Sequence, residues 1–129
     1  MATDAVSTVH AWHEALNRGD VEELIALSSD EIEVGGPRGR GTGPGARLLR
    51  DWFERAGIRL ELYQTFHRDS TVVVEQGASW RGPEPGTTTE PRTVTSVFIV
   101  KDGRVASVLR YADLAAALEA SGLTYSDKV

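Results

Sequence analysis

The chain has 129 residues, enough for one hydrophobic core and too few for two nucleotide-binding halves. Apolar residues at 40% and charged residues at 26% exclude a disordered chain, and a net charge of −5 with no basic stripe excludes a sequence-independent grip on nucleic acid. With no cysteine there is no disulfide framework, thiolate nucleophile or Cys-ligated zinc, and nothing argues for an oxidising compartment.

The N-terminal stretch "MATDAVSTVHAWHEAL" carries acids and histidines where a secretory signal needs an apolar run, and no apolar stretch approaches membrane-spanning length. The expectation is one domain over residues 1–129, cytoplasmic, with no membrane partner. Val6, Val9, His13 and Leu16 share helical spacing that stops at "NRGD", where Gly19 suits a left-handed cap. Asp20 then heads "DVEE", a capping-box pattern, and Val21, Leu24, Ile25 and Leu27 give a short second helix its apolar face. "EIEVGG" alternates acid and aliphatic, as a strand does.

"GGPRGRGTGPGA", residues 35–46, precedes a third helix marked by Leu48, Leu49, Trp52, Phe53 and Ala56 and closed by Gly57. "GTGPGA" formally matches a dinucleotide fingerprint, and Glu61 stands twenty residues after Gly41. Context defeats it, because Glu61 lies within a strand and no further βα units follow to build a parallel sheet. A Walker A loop is excluded by the missing Lys-Ser/Thr ending. A weaker anion site made of Arg38, Arg40 and the amides at 46–48 yields to the simpler reading, a solvated connector whose glycines permit tight turning.

From Ile58 onward four strand patterns follow: "IRLELYQTFH", "STVVVEQGASW", "RTVTSVFIV" and "RVASVLRY". "KDGR" predicts a tight hairpin, and "RGPEPGTTTEP" a loop whose prolines cannot continue a strand. "DLAAALEASG" closes the chain as a helix with Asp113 at its N-cap. Helices first and an antiparallel meander afterwards define an α+β domain with helices on one face of the sheet. "VVV" at 72–74 and "VFIV" at 97–100 are apolar on both faces, so the outer face needs a cover. A second copy of the sheet is the simplest one, which predicts a homodimer.

This order, with "HEALNRGDVEELIALSSDEIEV" at the start and "VFIVKDGRVASVLRYADLAAAL" at the end, resembles the nuclear-transport-factor-2-like, or SnoaL-like, superfamily. The resemblance spans nearly the whole chain. It implies a cystatin-like cone: a strongly curved, mostly antiparallel sheet holding the N-terminal helices in its concave face around a deep apolar pocket, plus a C-terminal helix. It implies dimerisation through the outer sheet face. Activity does not follow, because this fold hosts isomerases, cyclases, dehydratases, epoxide hydrolases and non-catalytic binding proteins.

Two enzymatic branches are tested position by position. Ketosteroid isomerases resemble "ALNRGDVEELIAL" and use a general-base Asp with a Tyr and a protonated Asp as oxyanion donors. Here the Tyr position falls on Trp12, the base on Gly36 and the protonated Asp near Ser96, and glycine takes no proton. Limonene epoxide hydrolases resemble "QTFH", Glu75 and "YADL", and activate water with an Asp-Arg-Asp set. The matching positions are Ala78, Gln76 and Arg110, and the water-positioning Tyr and Asn become Val34 and Gly36. A one-residue strand slip would instead bring Glu75 or Glu33 inside.

Strand alternation together with the resemblance turns Val34, Val72, Val74, Gln76, Ala78 and Trp80 inward, followed by Val94, Ser96, Phe98, Val108 and Arg110. Trp12 and Trp52 join them from helices. The expected ligand-binding residues are Trp12, Val34, Trp52, Gln76, Trp80, Ser96, Phe98 and Arg110, an apolar lining with few polar groups. A guanidinium in such a pocket must find an anion, so Arg110 is paired either with a ligand carboxylate or with an internal acid such as Glu33, Glu75 or Asp113. The three tryptophans are read as core and pocket wall, and they could also plug the hollow.

His10 and His13 stand three residues apart, but a third ligand is offered only by Glu14 or distant His67, so neither metal nor cofactor is expected. His13 is the weak candidate for a general base, with no identifiable partner acid. The leading expectation is a SnoaL-like dimer that binds a small, largely apolar molecule bearing a carboxylate or carbonyl. The alternatives are an isomerase, cyclase or hydratase of polyketide- or terpenoid-like compounds, and a non-catalytic dimer module with a filled pocket.

Overall fold

The computed structural model describes residues 4–36, 39–82 and 84–129, with the side chain of Ala56 left undescribed. Helix α1 (Ala5–Arg18) is capped at its start by Asp4, whose side chain accepts from the Val6 amide. It ends at Gly19, whose φ of 79° is the left-handed conformation glycine adopts without a Cβ penalty. Asp20 caps α2 (Val21–Ala26) by accepting from the Glu23 amide. Strand β1 (Ser28–Gly36) and strand β2 (Gly39–Pro44) lead into α3 (Gly45–Ala56), which ends at left-handed Gly57. Strands β3 (Arg59–Arg68), β4 (Thr71–Ser79), β5 (Arg92–Lys101) and β6 (Arg104–Tyr111) precede α4 (Leu114–Ser121) and a 3-10 turn at Tyr125–Asp127.

The six strands form one curved sheet in the order β2-β1-β6-β5-β4-β3. All neighbours are antiparallel except β1 and β6, which run parallel. The "KDGR" hairpin forms as expected, with Asp102 at φ 53° and Gly103 at φ 73°. Asp113 accepts from the Ala116 amide, which confirms its capping role.

One element departs from the sequence reading. The glycine-rich connector is in part a strand: Gly39–Pro44 pairs with β1 in the register Ile32↔Gly43 and Val34↔Gly41. Glycine weakens strands, yet this one forms because β1, already held by β6, offers a ready ladder, and its exposed edge position asks no side chain to pack. Arg40 is exposed there, and Arg38 lies outside the described residues.

Helix α1 crosses β3 to β6 on the concave face, α3 lies over β1 and β2, and α2 joins the two helices. Val9, Trp12 and Leu16 from α1 meet Ile32, Leu60, Val72, Val74 and Phe98 in the main core. The opposite face has its own cluster, in which Leu114, Ala117 and Leu118 of α4, with Leu123, cover Phe66, Val73 and Val97. The doubly apolar strands thus find a cover over β4–β6 within the same chain. Register also settles the slip: Glu75 faces outward and accepts from Gln64, and Glu33 faces outward and accepts from Ser107. Among the described residues no helix is long and apolar enough to cross a membrane.

Candidate functional site

The curvature of the sheet leaves a cavity of about 520 Å3 between α1, α3 and the strands β1, β5 and β6. Its aromatic wall is built by α1 and α3. Trp12 and Trp52 stack with centroids 6.1 Å apart and an interplanar angle of 22°, and Phe98 of β5 meets Trp12 edge-on at 5.4 Å. Trp12 is held in place because its indole N–H donates to Ser28 Oγ at 3.1 Å, and that hydroxyl donates to the Leu24 carbonyl at 2.8 Å. Val34, Val108, Leu48, Leu49 and Leu60 complete the apolar surface.

The polar groups on the cavity surface are few. Ser96 and Arg110 are cross-strand partners on β5 and β6, so their side chains stand side by side on the concave face. Arg110 is half-buried, and desolvation pushes its pKa below the ordinary guanidinium value. Among the described residues it has no ion-pair or hydrogen-bonding partner; its neighbour is the ring of Trp80, whose centroid lies 6.0 Å from the guanidinium carbon. The three acids considered for it are engaged elsewhere, Glu33 by Ser107, Glu75 by Gln64 and Asp113 by the α4 amide. No carboxylate lines the cavity among the described residues. Arg55 of α3 adds a second, exposed cation at the mouth.

Behind Ser96 lies a buried polar chain. Ser96 Oγ donates to Gln76 Oε1 at 2.9 Å, and Gln76 Nε2 lies 2.8 Å from His13 Nε2. His13 Nδ1 donates to the Val9 carbonyl at 2.7 Å. Gln76 is 0% exposed and His13 1%, and burial lowers the His13 pKa from 6.5 to about 4. The imidazole is therefore neutral at physiological pH, with both ring nitrogens occupied.

Six of the eight expected ligand-binding residues meet at this cavity: Trp12, Val34, Trp52, Ser96, Phe98 and Arg110. Gln76 sits one layer below its surface, and Trp80 flanks Arg110 without joining the lining. His13 lies behind Gln76, off the cavity wall. His10 Nε2 lies 3.4 Å from Thr65 Oγ1, and no cluster of three metal-binding side chains occurs among the described residues. Sequence reasoning missed Arg55, Leu48, Leu49, Leu60, Gly35 and, as a lining residue, Gly36. Arg55 was detectable, since Leu48, Trp52 and Arg55 share one face of an amphipathic helix, whereas the glycines carry no side chain to signal a face.

This geometry is that of an α+β cone with an apolar hollow whose lining includes Arg110, a cation without an ion-pair partner among the described residues. The SnoaL-like domain family matches residues 9–108, and the chain belongs to that family. No curated protein matches the sequence. Among solved structures, the chain is similar to an NTF2-like protein of unknown function from Cytophaga hutchinsonii, with a TM-score of 0.73, 14% identity, and coverage of 92% of this chain and 97% of that one. An LEH-like epoxide hydrolase from M. tuberculosis matches with a TM-score of 0.70, 23% identity, and coverage of 92% and 89%. A proposed polyketide cyclase from Sinorhizobium meliloti matches with a TM-score of 0.65, 21% identity, and coverage of 84% and 99%. At these identities the likeness concerns the fold.

Proposed function

We propose that this SnoaL-like protein binds a small, largely apolar molecule bearing a carboxylate or a comparable anionic oxygen, with Arg110 as its counter-ion. The observation that carries this reading is the half-buried guanidinium, unpaired among the described residues, facing an apolar cavity that none of their carboxylates lines. Desolvating a cation without a partner is unfavourable, and a ligand anion would offset that cost while the paired indoles of Trp12 and Trp52 receive its apolar body. The cavity volume of about 520 Å3 falls within the range of small-molecule sites.

A second reading makes the bound molecule a substrate, a polyketide- or terpenoid-like compound isomerised, cyclised or hydrated in the hollow. The hydrogen-bonded chain from His13 to Ser96 favours it, as does likeness to the proposed polyketide cyclase. It ranks second because an amide passes no proton without tautomerising, so Gln76 insulates the imidazole from the cavity.

Intrinsic fluorescence tests the binding reading, since two of the three tryptophans line the cavity. Titration with 2-naphthoate should quench saturably, and the neutral 2-naphthamide should bind at least about tenfold more weakly, the difference a charge-assisted pair supplies. Equal affinity for acid and amide would refute the anionic anchor.

A further inference from the structure

The hydrogen-bond chain behind Ser96 has a direction, and the direction is set at its far end. The Val9 carbonyl can only accept, so His13 Nδ1 carries the proton of that 2.7 Å contact. A buried neutral imidazole then has a bare lone pair on Nε2, which must accept. The group 2.8 Å away is therefore the Gln76 amide N–H, which turns Gln76 Oε1 toward Ser96. That oxygen can only accept, so the Ser96 hydroxyl proton is committed to it at 2.9 Å. Ser96 Oγ consequently offers the cavity lone pairs and no proton. Ser96 is itself 3% exposed and Gln76 0%, so no water competes easily for the chain.

Resting on the reading that the cavity takes an anion at Arg110, we propose that Ser96 is a specificity-determining acceptor of fixed polarity, which selects ligands carrying a hydroxyl or N–H donor in addition to their anionic oxygen. The two recognition groups come from directly opposed strand positions, Ser96↔Arg110, and have opposite demands: the arginine only donates and the serine only accepts. A ligand with a carboxylate alone leaves the oxygen of the buried serine without a donor. One with a carboxylate and a second acceptor, such as a keto acid, sets two oxygens against each other. A hydroxylated apolar acid satisfies both. The ligand class is thus an apolar hydroxy acid, or the phenolic or enolic equivalent in which one oxygen is ionised and another keeps its proton.

The test is a titration series of 2-naphthoate, its ring-hydroxylated isomers and the corresponding ring-fluorinated isomers, followed by calorimetry. Fluorine matches the hydroxyl closely in size and carries no proton. At least one hydroxy isomer should bind about tenfold tighter than both its fluoro counterpart and the parent acid, the discrimination expected when a buried acceptor is satisfied or left bare. In Ser96→Ala that advantage should fall to about twofold or less. The wild-type comparison stands even if the variant does not fold. Hydroxy and fluoro isomers that bind alike at every ring position, while all remain dependent on Arg110, would overturn the acceptor role and leave the anion site intact. No binding by any member would overturn both.

Discussion

A β-carbon added at Gly36 would lie 3.8 Å from Cβ of Arg110, an ordinary packing distance. The parallel pairing of β1 with β6, Val34↔Val108 and Gly35↔Leu109, brings the two positions together. Gly36 is also where the ketosteroid isomerase pattern would place its catalytic base. The chain thus holds a vacant side-chain position where that pattern has a carboxylate, beside an arginine that has no carboxylate partner among the described residues.

Gly36→Asp should therefore fill the anion site from within. The new carboxylate fits without backbone strain and pairs with Arg110, so aromatic acids should lose about tenfold or more in affinity while the fold persists. Fluorescence titration and far-UV circular dichroism check the two halves of this expectation. Unchanged affinity would place the acid elsewhere.

Arg110→Met keeps the apolar stem and removes a partly desolvated, unpaired charge. It should abolish discrimination between 2-naphthoate and 2-naphthamide. It should also stabilise the free protein by roughly 1 kcal/mol, about 4 °C in Tm, as removal of a functional strain does. A lower Tm would mean that Arg110 serves the fold.

The His13 pKa lies below its unfolded value, so the unfolded chain binds more protons between the two, and stability falls as pH drops below about 6.5 and continues falling toward about 4. From pH 7.5 to pH 5 this single group should cost roughly 2 kcal/mol. Urea unfolding of the wild type and of His13→Gln over this range checks it. The variant should start less stable, because the chain to Gln76 is altered, and show a shallower pH dependence.

Leu118 is 6% exposed on α4, against Phe66, Val73 and Val97. Leu118→Ala should cost about 3 kcal/mol, and deletion of residues 113–129 should bare the outer sheet face and cause concentration-dependent self-association. Size-exclusion chromatography over a range of loading concentrations reads the second effect. A truncated chain that behaves like the full one would mean that α4 is not the cover.

Most of the fold was legible because its signals are local. Gly19 and Gly57 end helices where left-handed caps fall, Asp20 and Asp113 begin them, and strict alternation set the face of Ser96, Phe98 and Arg110. β2 was not legible, since Gly39–Pro44 is dominated by glycine and ends in proline, both depleted in strands, and is paired because β1 is already in place. The role of α4 was hidden for a related reason: an apolar outer face demands a cover, and sequence does not say whether the same chain or a second one supplies it. At the site, the identities of the inward residues were readable from alternation. What each does was not, because Arg110 has no acid partner among the described residues and Gln76 bridges His13 to Ser96 only through contacts between α1, β4 and β5, far apart in the chain.

A crystal structure of the complex with 2-naphthoate decides whether Arg110 holds a ligand anion. Carboxylate density is expected at hydrogen-bonding distance from the Arg110 guanidinium, with the ring system against Trp52 and the Trp12 indole. Density elsewhere, or a hollow closed by the protein's own side chains with Arg110 turned to solvent, would contradict it.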